Sequence, residues 1–175
     1  MKLIITFSAR DNGNCAEIAK YLSNGNDAIV DFKRLHFHGC IDCSYECLEA
    51  NPCKYRDDDI YSLYARMSSY DKIVLIVPMY CGNPSSLYFT FNERGQDFFM
   101  QNEAAYSRIL SRLYIIGIYG SSSENPDFIP TLEKWFDRSA YKNRVLGIER
   151  HKLNQKISDT LATDTLKRAL DSFIV

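Results

Sequence analysis

Basic runs are nearly absent from these 175 residues: none is longer than the Lys33-Arg34 pair, and 21 Lys and Arg stand against 22 Asp and Glu, a formal net charge of −1. So balanced a chain has no global field with which to draw in nucleic acid or an anionic membrane surface. No apolar stretch approaches the roughly 18 residues of a membrane-spanning helix, so no membrane partner is expected. The opening Met-Lys-Leu-Ile-Ile-Thr has one basic residue and three consecutive aliphatics, too short for a secretory apolar region, and a cytoplasmic location is the expectation. Fixed-period repeats and low-complexity segments are lacking and the five prolines are scattered, so residues 1–175 are read as one domain without a linker. A chain of this length buries about 70% of its unfolded surface around one core, so neither a disulfide nor a structural metal is needed for stability.

What the chain does have is alternation. Apolar runs rich in β-branched residues recur at Leu3-Ile4-Ile5, Ile73 to Val77, Leu113 to Ile118 and Val145 to Ile148, with a weaker one at Ala28 to Phe32. Runs apolar at every position suit strands covered on both faces. Between them, Cys15, Ile18, Ala19 and Leu22 fall at helical spacing, as do Ile60, Leu63, Tyr64 and Met67. Ile129, Leu132 and Phe136 repeat the pattern, Leu166 to Phe173 closes the chain, and Leu87 to Phe99 predicts an aromatic-rich helix. This order predicts an α/β fold: a doubly wound, five-stranded parallel sheet in the order 2-1-3-4-5, with helices on both faces.

Ligands of such sheets bind at the carboxyl ends of the strands, beside the switch point. After the first strand, Ser8, Arg10, Asn12, Gly13, Asn14 and Cys15 run into a helix N-terminus. Free backbone N–H groups, a Ser, two Asn and one Arg suit a phosphate monoester; ordinary helix capping by Asn12 or Asn14 is the plainer alternative. Neither G-x-G-x-x-G nor G-x-x-x-x-G-K-S/T is present, which argues against a dinucleotide fingerprint and a P-loop. After the third strand come Pro78, Met79, Tyr80, Cys81, Gly82 and Asn83. Pro78 is expected to end the strand, and a flat ring could rest against Tyr80 with the amides of Cys81 to Asn83 at its polar edge. Tyr80 packed in an ordinary turn is the alternative. Tyr119, Gly120 and Ser121, after the fourth strand, open a polar stretch that forms a third wall.

Six cysteines stand at 15, 40, 43, 47, 53 and 81, and four of them fall in the long connection from Phe32 to Asp57, read as a Cys-rich insertion over about 33–56. Connections have a median of about 4–6 residues, so one this long is functional or disordered. Cys40-x2-Cys43-x3-Cys47-x5-Cys53 contains no His, and suits an iron–sulfur cluster or tetrahedral zinc, or else holds free or redox-active thiols. His36 and His38 flank it as loop residues. Zinc sites usually pair two C-x2-C elements, and the second pair here is x5.

The loop from Ser8 resembles the S-P-R-x-x-G-N-T loop of the flavodoxin-like NAD(P)H-dependent FMN reductases and iron–sulfur flavoproteins, matching at Ser8, Arg10, Gly13 and Asn14. The loop from Pro78 is similar to the family's P-V-Y-x-G-x-x-S at Pro78, Tyr80, Gly82 and Ser85, and Phe91-Asn92-Glu93-Arg94 resembles its F-I/L-D-R segment. By motif the likeness covers about residues 1–95. It implies a flavodoxin-like fold and FMN, with the phosphate on Ser8, Arg10, Asn12, Asn14 and Cys15 and the isoalloxazine against Tyr80 to Asn83. It also implies NAD(P)H as hydride donor. Ala9 replaces the family Pro, Cys15 replaces a Thr whose hydroxyl would bond a phosphate oxygen, and Phe89 stands where the family has Lys. In the iron–sulfur flavoproteins a C-x2-C-x2-C-x5-C run holds a [4Fe–4S] cluster; the present spacing has one additional residue in its middle gap.

The resulting expectation is an FMN-dependent redox enzyme, passing electrons between a small-molecule or protein donor and acceptor, with Cys40, Cys43, Cys47 and Cys53 relaying electrons through a cluster. No catalytic acid or base is assigned, because the flavin carries the chemistry. A rival is a zinc- or thiol-containing interaction module on a flavodoxin-like scaffold that has lost FMN. A phosphate-ester enzyme is disfavoured, since no C-x5-R or Asp-x-Asp follows the first strand. The aromatic segment Tyr88, Phe89, Phe91, Phe98 and Phe99 carries more apolar surface than one helix face needs, so a homo-oligomer, a dimer, is also expected.

Overall fold

The computed structural model describes residues 1–49, 52–136, 141, 143–153, 156–162 and 164–174. The chain runs through β1 (Lys2–Thr6), α1 (Asn14–Leu22), β2 (Ala28–Asp31), α2 (Asp59–Met67), β3 (Lys72–Tyr80), β4 (Asn83–Pro84), α3 (Ser86–Gln101) and α4 (Glu103–Leu110). It continues through β5 (Leu113–Tyr119), α5 (Phe128–Glu133), β6 (Val145–Glu149), α6 (Arg150–Leu153), α7 (Ile157–Ala162) and α8 (Lys167–Phe173). The parallel strands lie in the order β2-β1-β3-β5-β6. That is the expected 2-1-3-4-5 once β4 is set aside.

Strand alternation divides the core. Leu3, Ile5 and Phe7, with Ile73, Leu75 and Val77, face α2, α3 and α5. Ile4, Val74, Ile76, Ile116 and Ile118 face α1, α7 and α8. Both sheet faces are thus dry, which is why the central strands read as unbroken apolar runs. Helix α2 starts where the Asp58 carboxylate accepts from the Ile60 N–H at 3.0 Å, and α3 where Ser85 accepts from the Tyr88 N–H.

β4 is the first departure from expectation. Pro78 does not end β3, which continues to Tyr80 and folds back so that Met79 pairs Pro84 and Tyr80 pairs Asn83. The ladder with β1 stops at Ile76, whose carbonyl accepts from the Phe7 N–H at 3.0 Å. Two residues on, the same edge has no β1 partner to ask for the N–H that Pro78 lacks, and its carbonyl accepts from Ser85 instead. Cys81 and Gly82, at φ of 49° and 82°, make the two-residue turn. Positive φ at both positions is the signature of a type I′ hairpin, and a non-glycine residue there is strained.

The sequence pattern predicts none of α4, α6 and α7. Of α4 only Ile109 is buried, and of α7 only Ile157 and Thr160, so neither carries an apolar stripe wide enough to read. The ground for expecting self-association also changes. Tyr88, Phe91 and Phe98 are buried in the chain's own core, leaving Phe89 and Met100 as the exposed apolar side chains of α3. The excess aromatics are absorbed by Phe7, Phe32 and Tyr64, which contact the Phe91 ring at centroid distances of 5.3, 5.8 and 4.5 Å.

Candidate functional site

A cleft of about 290 Å³ crosses the carboxyl ends of β1, β3, β5 and β6. Its first pole is the β1–α1 loop. Gly13 is the helix N-cap and makes no side-chain cap. Among the described residues the N–H groups of Asn12 to Ala16 donate to nothing in the chain, and the Arg10 guanidinium has no ion-pair partner. The Ser8 hydroxyl is buried and accepts from the Arg10 N–H at 3.1 Å, bending the loop back on itself. The basic pair Lys33 and Arg34 braces the loop from the exit of β2: Lys33 Nζ lies 2.9 Å and Arg34 Nη2 2.6 Å from Asp11. Hydrogen bonding and charge from Lys33, then Arg34, hold the Asp11 carboxyl below its ordinary range. Asp11 is thus a neutralised brace rather than a free negative charge beside the free amides.

The Cys15 thiol is turned into the core beneath the loop, beside the Ser8 hydroxyl. The side chain is 3% exposed, packed with Ile18 and Val74, and burial pushes the thiol up to about 12. A protonated, buried thiol is no nucleophile and no phosphate ligand.

The β3 side differs from the simplest expectation. Pro78, Met79 and Tyr80 line the cleft, but the Tyr80 hydroxyl reaches back to the β1 loop, accepting from the Ala9 N–H at 3.1 Å and lying 3.3 Å from Ser8 Oγ. Tyr80 therefore ties the two loops together. Cys81, Gly82 and Asn83 form the hairpin turn beyond the cleft lining, with Asn83 Nδ2 donating to the Cys81 carbonyl at 3.2 Å. On the β5 side Tyr119 and Gly120 line the cleft, while Ser121 is buried and bonded to Ser123 at 2.8 Å. Asn125 arches over the turn: a Cβ at Gly82 would stand 3.1 Å from its Oδ1.

Ile118, Arg150 and His151 also line the cleft, and sequence reading missed them. The rule that ligands gather at strand ends applied equally to the fifth parallel strand and would have found Arg150 and His151. The His151 N–H donates to the Gly120 carbonyl at 3.2 Å, which seats the start of α6 against the β5 loop.

The cysteine connection is ordered by charge rather than by apolar packing. Buried Arg94 on α3 donates to Asp58 Oδ2 at 2.6 Å, to the His38 carbonyl at 2.7 Å and to the Tyr55 carbonyl at 2.8 Å. One turn on, Asp97 accepts from both Arg56 Nη2 (2.9 Å) and Nε (3.1 Å), and from the Cys53 N–H at 3.0 Å. His38 stacks on Tyr55 at 4.3 Å. Around this clasp stand Cys40, Cys43, Cys47 and Cys53, all free. Burial, then the negative charge of Cys43, Glu93, Cys47 and Cys53, pushes the Cys40 thiol above its usual range. Among the described residues no three His, Cys, Asp or Glu side chains converge as a metal-binding group. Arg94 Nε is buried there without a partner.

The family model for NADPH-dependent FMN reductase matches residues 2–107. The chain belongs to this family. A comparison with curated proteins finds no match. Among solved structures, the Trp repressor binding protein from Bacillus subtilis aligns with a TM-score of 0.62 at 14% identity, over 99% of this chain and 97% of that one. The azoreductase from Bacillus anthracis str. Sterne gives 0.59 at 9% identity, over 99% and 98%. The flavoenzyme NAD(P)H:(acceptor) oxidoreductase FerB from Paracoccus denitrificans gives 0.53 at 10%, over 99% and 94%. At these identities the likeness shows the fold, which is flavodoxin-like.

As an FMN reductase family member, the chain is a flavin oxidoreductase, and its first pole fits the flavin's phosphate. Unbonded amides, a positive helix end and an unpaired guanidinium are what a phosphate monoester needs, and loss of the family threonine hydroxyl removes one donor among several. The four thiols of this reductase have the right chemistry for a cluster, but the donor set is not drawn together, so no electron step is derived through them.

Proposed function

We propose that the protein binds FMN across the β1–β3–β5 cleft and catalyses NAD(P)H-dependent reduction of a small-molecule or protein acceptor. The observation that carries this reading is the pairing of unbonded α1 amides with the free Arg10 cation at one pole of a cleft that continues over Met79, Tyr80 and Tyr119. Bound FMN supplies hydride acceptance and donation. The chain's part is to hold it. Arg10, Asn14 and the amides of Asn12 to Cys15 take the phosphate, Tyr80 locks the phosphate loop to the β3 hairpin, and the strained Cys81-Gly82 turn fixes where the ring-side backbone ends. Purified protein is expected to be yellow, to release FMN on denaturation, and to oxidise NADPH when a flavin or quinone acceptor is added. A colourless protein that cannot be reconstituted with FMN would sink the reading in favour of a thiol or zinc interaction module.

A second, dependent reading concerns the cysteine connection, where four thiols of one loop and the orphaned Arg94 Nε suit an anionic, sulfur-ligated centre once the loop closes around it. Cys40, Cys43, Cys47 and Cys53 are its ligand set, and a [4Fe–4S] cluster is its first assignment. Protein isolated without oxygen is expected to contain about four iron and four sulfide per chain, the stoichiometry of such a cluster. Zinc without sulfide would reassign the site, and four titratable thiols in a metal-free protein would remove it. Self-association belongs to the same reading, with the exposed Ile41, Tyr45 and Leu48 of this connection as its apolar surface; light scattering showing an FMN-loaded monomer would remove it.

A further inference from the structure

The β6 side of the cleft carries a charge additional to that of the phosphate loop. Arg150 and His151 line the cleft where β6 gives way to α6. Three basic residues stand in sequence there, Arg150, His151 and Lys152, against one nearby carboxylate, Glu149. Lys152 takes that carboxylate at 2.7 Å, and Ser122 donates to the same oxygen at 3.0 Å. Among the described residues Arg150 is left with no ion pair, and the His151 ring with no hydrogen-bond partner, although both are exposed at the rim. Their placement is fixed: Tyr119 pairs Glu149 in the β5–β6 ladder, and the His151 N–H is bonded to Gly120. The imidazole lies beside the Gly120 backbone: a Cβ there would stand in ordinary contact with His151 Cε1 and Nε2, at 3.8 Å.

FMN has one phosphate, and the β1–α1 pole already supplies its donors. The isoalloxazine is neutral when oxidised and would meet apolar and backbone surface, so an exposed cation after β6, three strands along the sheet from β1, addresses a ligand that arrives from solvent. The nicotinamide dinucleotides bring a pyrophosphate, and NADPH a further 2′-phosphate; a guanidinium matches such groups with paired N–H donors. We propose that Arg150, with His151 beside it, is the anion-binding rim that docks the phosphates of the incoming NAD(P)H. This rests on the reading that the cleft holds FMN and accepts hydride from a nicotinamide.

The test uses FMN-loaded wild type, Arg150→Ala, Arg150→Lys and His151→Gln. For Arg150→Ala the dissociation constant of NADP⁺ by calorimetry and the KM for NADPH are both expected to rise about tenfold or more, the size of one charge-assisted hydrogen bond, while kcat at saturating donor stays within about twofold. Arg150→Lys should recover part of the loss, and His151→Gln should lose less than Arg150→Ala. FMN affinity and the rate of reduction by dithionite, which needs no dinucleotide site, should match wild type in every variant. A rise for NADPH alone assigns the 2′-phosphate, and a rise for NADH as well assigns the pyrophosphate; both support the rim. Unchanged donor affinity in Arg150→Ala, or a loss of FMN in its place, overturns it. A wild type that binds FMN but is never reduced by either nicotinamide refutes the parent reading instead, and does so before any variant is made.

Discussion

Replacing Arg94 by leucine is expected to cost the folded protein about 3–5 kcal/mol, the range for removing one partner of a buried ion pair. The Arg94 and Asp58 side chains are 3% and 1% exposed, and their N–O distance is 2.6 Å. The leucine would leave the Asp58 carboxylate buried with one strong donor fewer and would strip the His38 and Tyr55 carbonyls of their bonds. Urea denaturation measures the total, and limited proteolysis localises it, since the cysteine connection loses its clasp while the sheet does not. A loss below about 1 kcal/mol, the scale of an exposed pair, would show that the pair is not the clasp. Acid acts on the same point. Burial opposes ionisation of Asp58, but hydrogen bonds and charge from Arg94, with the His38 and Ile60 N–H groups, outweigh it and hold the carboxyl below its ordinary 3.8. A depressed carboxylate stabilises the fold fully above its unfolded value, so this contribution is retained at neutral pH and lost as pH falls below about 4.

Arg10→Ala and Asn14→Ala are each expected to weaken FMN binding by about 1–3 kcal/mol, roughly 5- to 150-fold, the range for removing a hydrogen bond to a charged group. Arg10 should show the larger effect, because its guanidinium has no other partner and its removal is not offset by release of a carboxylate. Asp11, Lys33 and Arg34 form their own cluster beside it and leave Arg10 free. Fluorescence titration of the apoprotein with FMN reads both variants. Retention of wild-type affinity in both would place the phosphate somewhere other than the β1–α1 loop.

Much of this molecule is legible along the chain, and the limits of that legibility are physical. The order of the five parallel strands, the dry sheet and the loop from Ser8 to Cys15 follow from short-range periodicity and from a motif confined to a few residues. The stripes that were missed, on α4 and α7, were too thin to have a period. The aromatic richness of α3 was visible, but its destination was not: hydrophobic side chains that could have met a second copy instead fill the space over Phe7 and Phe32.

Composition and local pattern by themselves determined a doubly wound α/β domain, a phosphate-suited loop after the first strand, and four thiols confined to one long connection. Only the tertiary structure decided that Tyr80 turns its hydroxyl to the β1 loop, that Arg94 closes on Asp58 across 36 residues, and that Arg150 and His151 join the cleft from β6. The reason is the same in each case. Helical and strand periods are set by nearest neighbours along the backbone, whereas the partner of a polar side chain is whichever buried group the folded chain brings within about 3 Å, and sequence distance carries no trace of that choice.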